Sequence, residues 1–445
     1  MIRLPAHAAR AIARLEAAGF ETWAVGGCVR DSLRGAAPHD WDLCTAAHPE
    51  QMQAVFAGER VLETGVKHGT LTLLTDGGPL EITTFRADGA YSDGRHPDGV
   101  RFVRRIEADL ARRDFTVGAM AWHPQRGLCD PFGGETDLQN GVLRAVGDPD
   151  ARFQEDALRI LRAVRFASKL GFTVEPETAA AMRRQSARLD CVAAERMREE
   201  LTGALCGRFA RRALMEFADV IGTVLPELKP MFGCAQQNPH HLYDVWEHSA
   251  RAVEQVPNIP ALRWSMLLHD CGKPACKTVD ENGIGHFYGH PKVSREIAER
   301  ILRRLRFSGE DTARILLLVE QHDRPLGDTD KLVRRRLSRI GEARFRDLLA
   351  IKKGDAVGQG THPDNVAQLC ITETRLNAVL AADACLSLRQ LAVDGNDIQA
   401  LGLSGPAVGA MLHDLLDAVL DEQAENTREA LLAYARTRME ERHDK

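Results

Sequence analysis

Asp40 and Asp42 stand two residues apart in HDWDLCT. In a strand, residues at that spacing point to one face, so two carboxylates converge and Trp41 turns away from them. Such a pair repels itself unless a cation lies between or one proton is shared. Hard oxygen donors of this kind suit Mg2+. Transfer of a nucleotidyl or phosphoryl group needs ions so held, one near the attacking hydroxyl and one on the triphosphate. An isolated Asp-x-Asp is usually no more than a solvated strand end. Here it follows TWAVGGCVRDSLRG, an apolar run stopped by Gly26 and Gly27 and continued as a helix from Cys28 to Leu33. Amides at a strand-to-helix turn favour phosphate, and Arg30 adds a cation there.

Two further groups carry chemistry. Glu155, Asp156 and Arg159 fall in a helical pattern that places them on one face. An acceptor beside a rigid fork of donors can pair with the edge of a base; the plain alternative is a surface ion pair worth a few tenths of a kcal/mol. Farther on, His248 lies in DVWEHSA, His269 and Asp270 end the apolar run LRWSMLL, and Asp355 lies in KKGDA. Nitrogen ligands with two carboxylates suit a divalent transition metal and also accept Mg2+. Lys273 follows the His-Asp pair as a phosphate cation. By resemblance to the HD phosphohydrolases, His286, His290 and His322, in GHFYGH and EQHDRP, are candidates for a second ion.

The elements that must position these groups differ along the chain. At roughly 100–200 residues per domain, the 445 residues imply two to four domains. A net charge of −5 argues against a uniformly basic nucleic-acid binder but permits local basic faces. MIRLPAHAARAIARLEAAGF reads as an amphipathic helix rather than a signal peptide, and no apolar run is long enough to span a membrane. Ten cysteines without paired CxxC spacing read as reduced thiols of a cytoplasmic protein. Up to residue 143, TWAVGG, HDWDLCTA and TLTLLTDGGPLEITTFR read as strands, the last two joined at Asp-Gly-Gly. RADGAYSDGRHPDGVRF reads as a mobile loop. From about residue 150 the pattern is helical, with breaks near Pro226–Pro230, Gln236–His240 and Asp280–Gly289. The fold class is therefore α+β, a small α/β head followed by an all-α body.

GGCVRDSLRG and HDWDLCT, with HGTLTLL, EITTFRADGAYSDGRHPDGV, ADLARRDFT, DPFGGETDLQNGVLRAVGDP and RFQEDALRILRAVRF, resemble the class II tRNA nucleotidyltransferases and bacterial poly(A) polymerases of the DNA polymerase β superfamily. The likeness covers about the first 200 residues. It implies Asp40 and Asp42 as catalytic metal ligands, with Glu81 a weaker third. It implies that Gly26, Gly27, Arg30, Arg112, Arg113, Asp114 and Arg162 bind the nucleotide. By the same resemblance Asp156 and Arg159 read CTP or ATP in place of a template base, with Glu155 orienting the arginine. Glu195 and Arg196 match a motif that braces the neck helices. Gly118 stands where the family usually has Asn. The order His248, His269-Asp270, Asp355 is similar to the HD metal-dependent phosphohydrolase superfamily, and implies a possible phosphatase or 2′,3′-cyclic phosphodiesterase.

The resemblance divides the chain into a nucleotidyltransferase head at 1–143, a base-selecting neck at 144–225, an HD body at 226–385 and a tRNA-binding helical tail at 386–445. The expected partners are ATP, CTP and tRNA, bound at its 3′ end and elbow. The expected reaction is addition of CCA, with Mg2+ in the head and a second divalent transition metal in the HD body. TGVKHGT, in place of an arginine-rich segment, disfavours a poly(A) polymerase, and the intact loop from Arg86 to Val100 disfavours an enzyme that adds cytidines alone. An A-adding enzyme, or an HD phosphohydrolase whose head only binds RNA, are the alternatives. Arg334, Arg335, Arg336 and Arg339, with Arg208, Arg211 and Arg212, are the candidate RNA cations, and Gly402 and Gly405 admit close approach of backbone to phosphate.

Overall fold

The computed structural model describes residues 2–63, 65–66, 69–88, 100–239, 241–361, 363–382 and 384–443. The chain forms two compact units, Met1–Lys229 with Arg304–Phe307, and Pro230–Arg303 with Ser308–Lys445.

In the first unit, α1 (Ala6–Ala17) buries Ala8, Ala11, Ile12 and Leu15. That spacing makes one apolar stripe, which packs on a seven-stranded mixed sheet. Its strands are β1 (Thr22–Val25), β2 (Asp42–Thr45), β3 (Val61–Leu62), β4 (Thr70–Thr75) and β5 (Gly78–Thr84), then β8 (Ala121–His123) and β9 (Gly127–Cys129). The spatial order is β3-β4-β5-β2-β1-β8-β9. All four residues of β1 are buried, as a central strand covered on both faces requires. The β4–β5 hairpin turns at Asp76-Gly77, as the sequence pattern predicts.

Two expectations change. The HDWDLCTA strand begins only at Asp42: β1 ends at Val25, which pairs with Asp42, and Gly26 then turns the chain away, so Asp40 and Trp41 have no partner in β1. The segment read as a loop has ordered flanks, β6 (Arg86–Asp88) paired antiparallel with β7 (Val100–Phe102). Residues 89–99, the middle of the loop used to separate CCA addition from C addition, lie outside the described residues, as do Thr64, Lys67 and His68 of TGVKHGT.

Helix α2 (Gly27–Leu33) follows β1 directly. The base-selecting triad does not sit on one helix. Helix α3 (Pro149–Glu155) ends at Glu155, Asp156 is extended at φ −143° and ψ 104°, and α4 (Leu158–Leu170) starts afresh. Asp156 Oδ1 accepts from the Leu158 amide at 2.9 Å. A short carboxylate competes with helical backbone bonding and favours such a capping role. Helix α5 (Ala194–Leu205) packs along α4.

The second unit is a helical bundle. Helix α6 (Val245–Gln255) carries His248, and α7 (Pro260–Leu268) is buried from Ala261 through Leu268. A helix apolar on all sides belongs at a bundle centre, and α7 delivers His269 and Asp270 at its end. Against it pack α6, α9 (Gly309–Gln321) and α11 (Glu342–Gln359); α8 (His290–Arg304) and α10 (Asp330–Ile340) belong to the same unit. The tail has its own apolar cluster, including Val393, Ile398, Met411, Leu415 and Leu431, built in part on α12 (Pro406–Leu420).

Candidate active sites

The parallel register of β2 and β5 sets Asp42 opposite Glu81, with Asp40 just before the strand. Burial, then the charges of Asp40 and Glu81, push the Asp42 carboxyl up to about 6, against the pull of Arg113. An acid whose charge is disfavoured by two neighbouring acids fits a divalent cation site. Among the described residues, the groups of potential ligands that all lie within 4.8 Å of one another are in the second unit; the acid trio is spread more widely.

Gly26 has φ +74°, and a Cβ there would lie 2.8 Å from Arg113 Nη1. The turn thus needs glycine both for its backbone and for the approach of that arginine. The Gly26 amide donates to the Met120 carbonyl at 3.2 Å, which takes it out of the expected phosphate cradle. Arg30 is bound to Asp31 at 2.8 and 3.0 Å and lies over the Phe166 ring.

Arg112, Arg113, Asp114, Asp156, Arg159, Arg162 and Arg196 line one cavity of about 290 Å³. Asp109, which the sequence analysis does not single out, organises its floor. It is fully buried and accepts from Arg112 at 2.9 and 3.0 Å and from Arg113 at 3.3 Å. Burial alone would raise its carboxyl, but the two guanidiniums hold it below the usual carboxylate range. Asp114 accepts from Arg162 at 2.7 Å. Arg113 joins the two halves, since it lines the cavity and acts electrostatically on Asp42. A Cβ at Gly118, where the family usually has Asn, would meet Asp114 Oδ1 at 3.7 Å, an ordinary contact.

Arg159 Nη1 donates to Glu155 Oε2 at 2.6 Å and to the Arg152 carbonyl at 3.2 Å, and Nη2 donates to the Arg112 carbonyl at 3.0 Å. Three of its five N–H groups are thereby committed, and the fork is fixed before anything enters the cavity. Asp156 Oδ2 accepts from Arg196 at 2.9 Å. Arg196, expected only to brace helices, is therefore also part of the cavity wall, whereas Glu195 pairs outward with Arg306.

In the second unit, Asp270 joins two ligand groups, His248–His269–Asp270 and Asp270–His290–His322. Asp355 lies 3.0 Å from His248 Nε2 and 3.6 Å from His269 Nε2. His269, His290 and His322 each point Nδ1 at a backbone carbonyl, at 2.7, 2.9 and 2.7 Å. Such a contact assigns the proton to Nδ1 and leaves a lone pair on Nε2. Those Nε2 atoms stand 3.1, 3.2 and 3.6 Å from the Asp270 carboxylate. Lone pairs facing a carboxylate repel unless a cation sits among them, and this donor set fits transition-metal ions. Burial opposes a charge on His269, but Asp270 and Asp355 outweigh it and move its pKa to about 10.

Three glycines position this cluster. A Cβ at Gly354 or Gly358 would come within 2.7 Å of Val256 or 2.9 Å of Ala252, so α11 can close on α6 and bring Asp355 to His248. A Cβ at Gly272 would lie 2.5 Å from the Ser294 amide, so α8 can bring in His290. Lys273 is buried and lies 2.7 Å from Asp270. His286 lies outside both groups, paired with Asp280 at 2.8 Å. His241, which sequence reasoning missed, lines the same cavity edge-on to His248; burial, then Lys273, lower its pKa to about 3 and keep it neutral.

Part of the expected basic surface is held by partners within the chain, and Arg334 and Arg335 are neutralised there. Arg334 pairs with Glu422, Arg335 with Asp421 at 2.6 Å, and Arg336 with Gln321. Arg212 bonds the Gly171 carbonyl and Thr173. Arg339 lines a cavity of about 490 Å³ with Arg335 and His413. Gly402 and Gly405 have φ of +98° and +58°.

Three family models match, the poly A polymerase head domain over residues 22–144, the probable RNA and SrmB-binding site of polymerase A over 171–232, and the HD domain over 240–357. A CCA-adding enzyme of Limosilactobacillus fermentum is 33% identical over 95% of this chain and 94% of its own. The chain belongs to the CCA-adding enzyme family. A second CCA-adding enzyme, from Levilactobacillus brevis, is 34% identical over 94% of each chain. The crystal structure of the Bacillus stearothermophilus CCA-adding enzyme in complex with CTP matches at a TM-score of 0.75 and 27% identity, over 98% of both chains. The Thermotoga maritima CCA-adding enzyme complexed with tRNA shares the fold, at a TM-score of 0.60 and 18% identity. As a CCA-adding enzyme family member the chain also contains an HD domain match, which coincides with the two histidine–aspartate groups. Among the described residues no helix is long and apolar enough to cross a membrane.

Proposed function

We propose that this chain is a cytoplasmic tRNA nucleotidyltransferase that adds C, C and A to the 3′ end of tRNA from CTP and ATP without a nucleic-acid template. The observation that carries the reading is the pre-set fork of Arg159, held by Glu155 in a cavity that shares Arg113 with the acid trio. Asp40 and Asp42, with Glu81, hold Mg2+, which when bound neutralises the triphosphate and sharpens the attacking hydroxyl. The chain's own groups do the rest. Arg112 and Arg113, locked on Asp109, and Arg162, locked on Asp114, receive the phosphates and sugar beside the Gly26-Gly27 turn and Arg30. The remaining Arg159 donors and Asp156 meet the Watson–Crick edge of the base. The 3′-hydroxyl attacks the α-phosphorus and pyrophosphate leaves. In this reading the head transfers the nucleotide, the neck selects the base and receives the 3′ end of tRNA, and the tail binds the elbow.

Purified protein, given tRNA lacking CCA, should add two residues with CTP alone and three with CTP plus ATP, and then stop. Addition of ATP only to tRNA ending in CC would mark an A-adding enzyme, and long adenylate tracts a poly(A) polymerase.

The HD body is proposed as a metal-dependent phosphoesterase acting on phosphate monoesters or 2′,3′-cyclic phosphates. The two ligand groups sharing Asp270, with buried Lys273 beside them, support it. Hydrolysis of a cyclic phosphate should need added transition metal and vanish in the double variant His269→Ala, Asp270→Ala. Activity surviving in that variant sinks the assignment.

A further inference from the structure

We propose that Tyr288 is a base-stacking platform at the mouth of the histidine–aspartate cavity, the residue by which this site favours nucleoside phosphoesters over base-free ones. The inference rests on the phosphoesterase reading of that site and adds a specificity-determining residue.

Tyr288 is 79% exposed. A lone exposed aromatic is ordinary; this one is held in place. Its ring lies parallel to that of His286, at an interplanar angle of 6° and a centroid distance of 5.4 Å. Its hydroxyl stands 3.4 Å from His286 Nδ1, and His286 Nε2 is fixed 2.8 Å from Asp280 Oδ2. The hydroxyl donates to Nδ1 and Nε2–H donates to the carboxylate, a tautomer that satisfies both contacts. The hairpin of Thr278–Val279 and Gly285–His286 carries this stack. One face of the phenol is thus braced and the other is open.

The platform belongs to the cavity. Tyr288 lines the same space of about 300 Å³ as Asp270, His290, His322 and Lys273. It precedes His290 by two residues, which keeps the two Cα atoms within ~7 Å of each other. Inorganic phosphate or a sugar phosphate would engage Lys273 and the histidines and leave Tyr288 in water. A nucleoside phosphate would place its phosphate on Lys273 and its base on Tyr288. Stacking on an aromatic face tolerates any base, and the braced stack presents no hydrogen-bond pattern to choose among bases.

The test uses the full-length chain loaded with manganese and compares adenosine 2′,3′-cyclic phosphate with the 2′,3′-cyclic phosphate of methyl riboside, which has no base. Tyr288→Ala should raise KM about 10-fold for the adenosine ester, leave kcat within twofold, and leave the base-free ester unchanged. Tyr288→Phe should restore the wild-type KM. Equal behaviour of Tyr288→Ala and wild type on both esters, or an equal loss on both, overturns the platform. If wild type hydrolyses neither ester, the phosphoesterase reading falls by itself, and binding decides the platform. Calorimetry with adenosine 2′-monophosphate, in proteins all carrying Arg159→Ala, should then show about 10-fold weaker binding for Tyr288→Ala, with inorganic phosphate unaffected. Equal affinities overturn the platform there too.

Discussion

Glu155 Oε2 accepts from Arg159 Nη1 at 2.6 Å, across the break between α3 and α4. The contact fixes the plane of the guanidinium, and the fork's two uncommitted donors inherit that plane. Glu155→Gln keeps the shape and removes the charge. It should lower kcat/KM for correct nucleotides by roughly 10-fold, while Arg159→Ala should cost about 100-fold and raise the share of UTP and GTP incorporated. Single-nucleotide incorporation assays with each triphosphate give both numbers. Wild-type discrimination in Arg159→Ala would remove the base-reading role.

Asp42 should be dispensable for folding and indispensable for chemistry. Its carboxyl lies near 6 in the folded, ion-free chain, against 3.8 for the unperturbed group. The folded state therefore binds the extra proton between those values, and the contribution of Asp42 to stability falls as pH rises from about 4 to 6. Asp42→Asn should abolish incorporation yet stabilise the ion-free protein at pH 7, by up to about 3 kcal/mol. Below pH 4 the difference should vanish. Urea titrations in chelator at pH 4 and pH 7, wild type against variant, check the sign. Binding of tRNA to the variant should stay near that of wild type.

Asp109 should behave in the opposite way. Its carboxyl is held below the usual range, so its contribution is present at neutral pH and is lost only as pH falls below about 3.8. Asp109→Ala strands two guanidiniums around a buried hole. A loss of about 3–5 kcal/mol is expected, with activity falling in parallel through Arg112 and Arg113. Thermal unfolding of the variant, followed by assay below its transition, separates the two effects.

The shared carboxylate of the HD body makes a stoichiometric prediction. Asp270→Ala should remove bound transition metal from both ligand groups, whereas His322→Ala should remove it from one. Metal analysis after gel filtration reads the difference directly. Retention of a full complement in Asp270→Ala would show that the two groups do not share a ligand.

The parts of this molecule that were legible in the sequence are those whose signal is local. Gly26-Gly27 ended a strand and opened a helix as read, and the apolar run before His269 became a buried bundle helix. The strand containing Asp40 was overextended because its length is set by β1, a partner whose end the local pattern does not reveal. The helix through Glu155 and Arg159 was drawn unbroken because residues four apart still meet across the joint. Asp109 escaped notice because an acid among helical residues looks solvated until two arginines fold over it. Arg334 and Arg335 looked free because their acidic partners, Glu422 and Asp421, lie more than eighty residues downstream.

The extended residue between α3 and α4 has a consequence for inheritance. Under the proposed reading, the three terminal letters of each tRNA are written from the conformation of a helix joint at Asp156. Such a store is not consumed in use. It changes only through the gene, and a single altered side chain at the joint would then rewrite the same letters on every tRNA the enzyme completes.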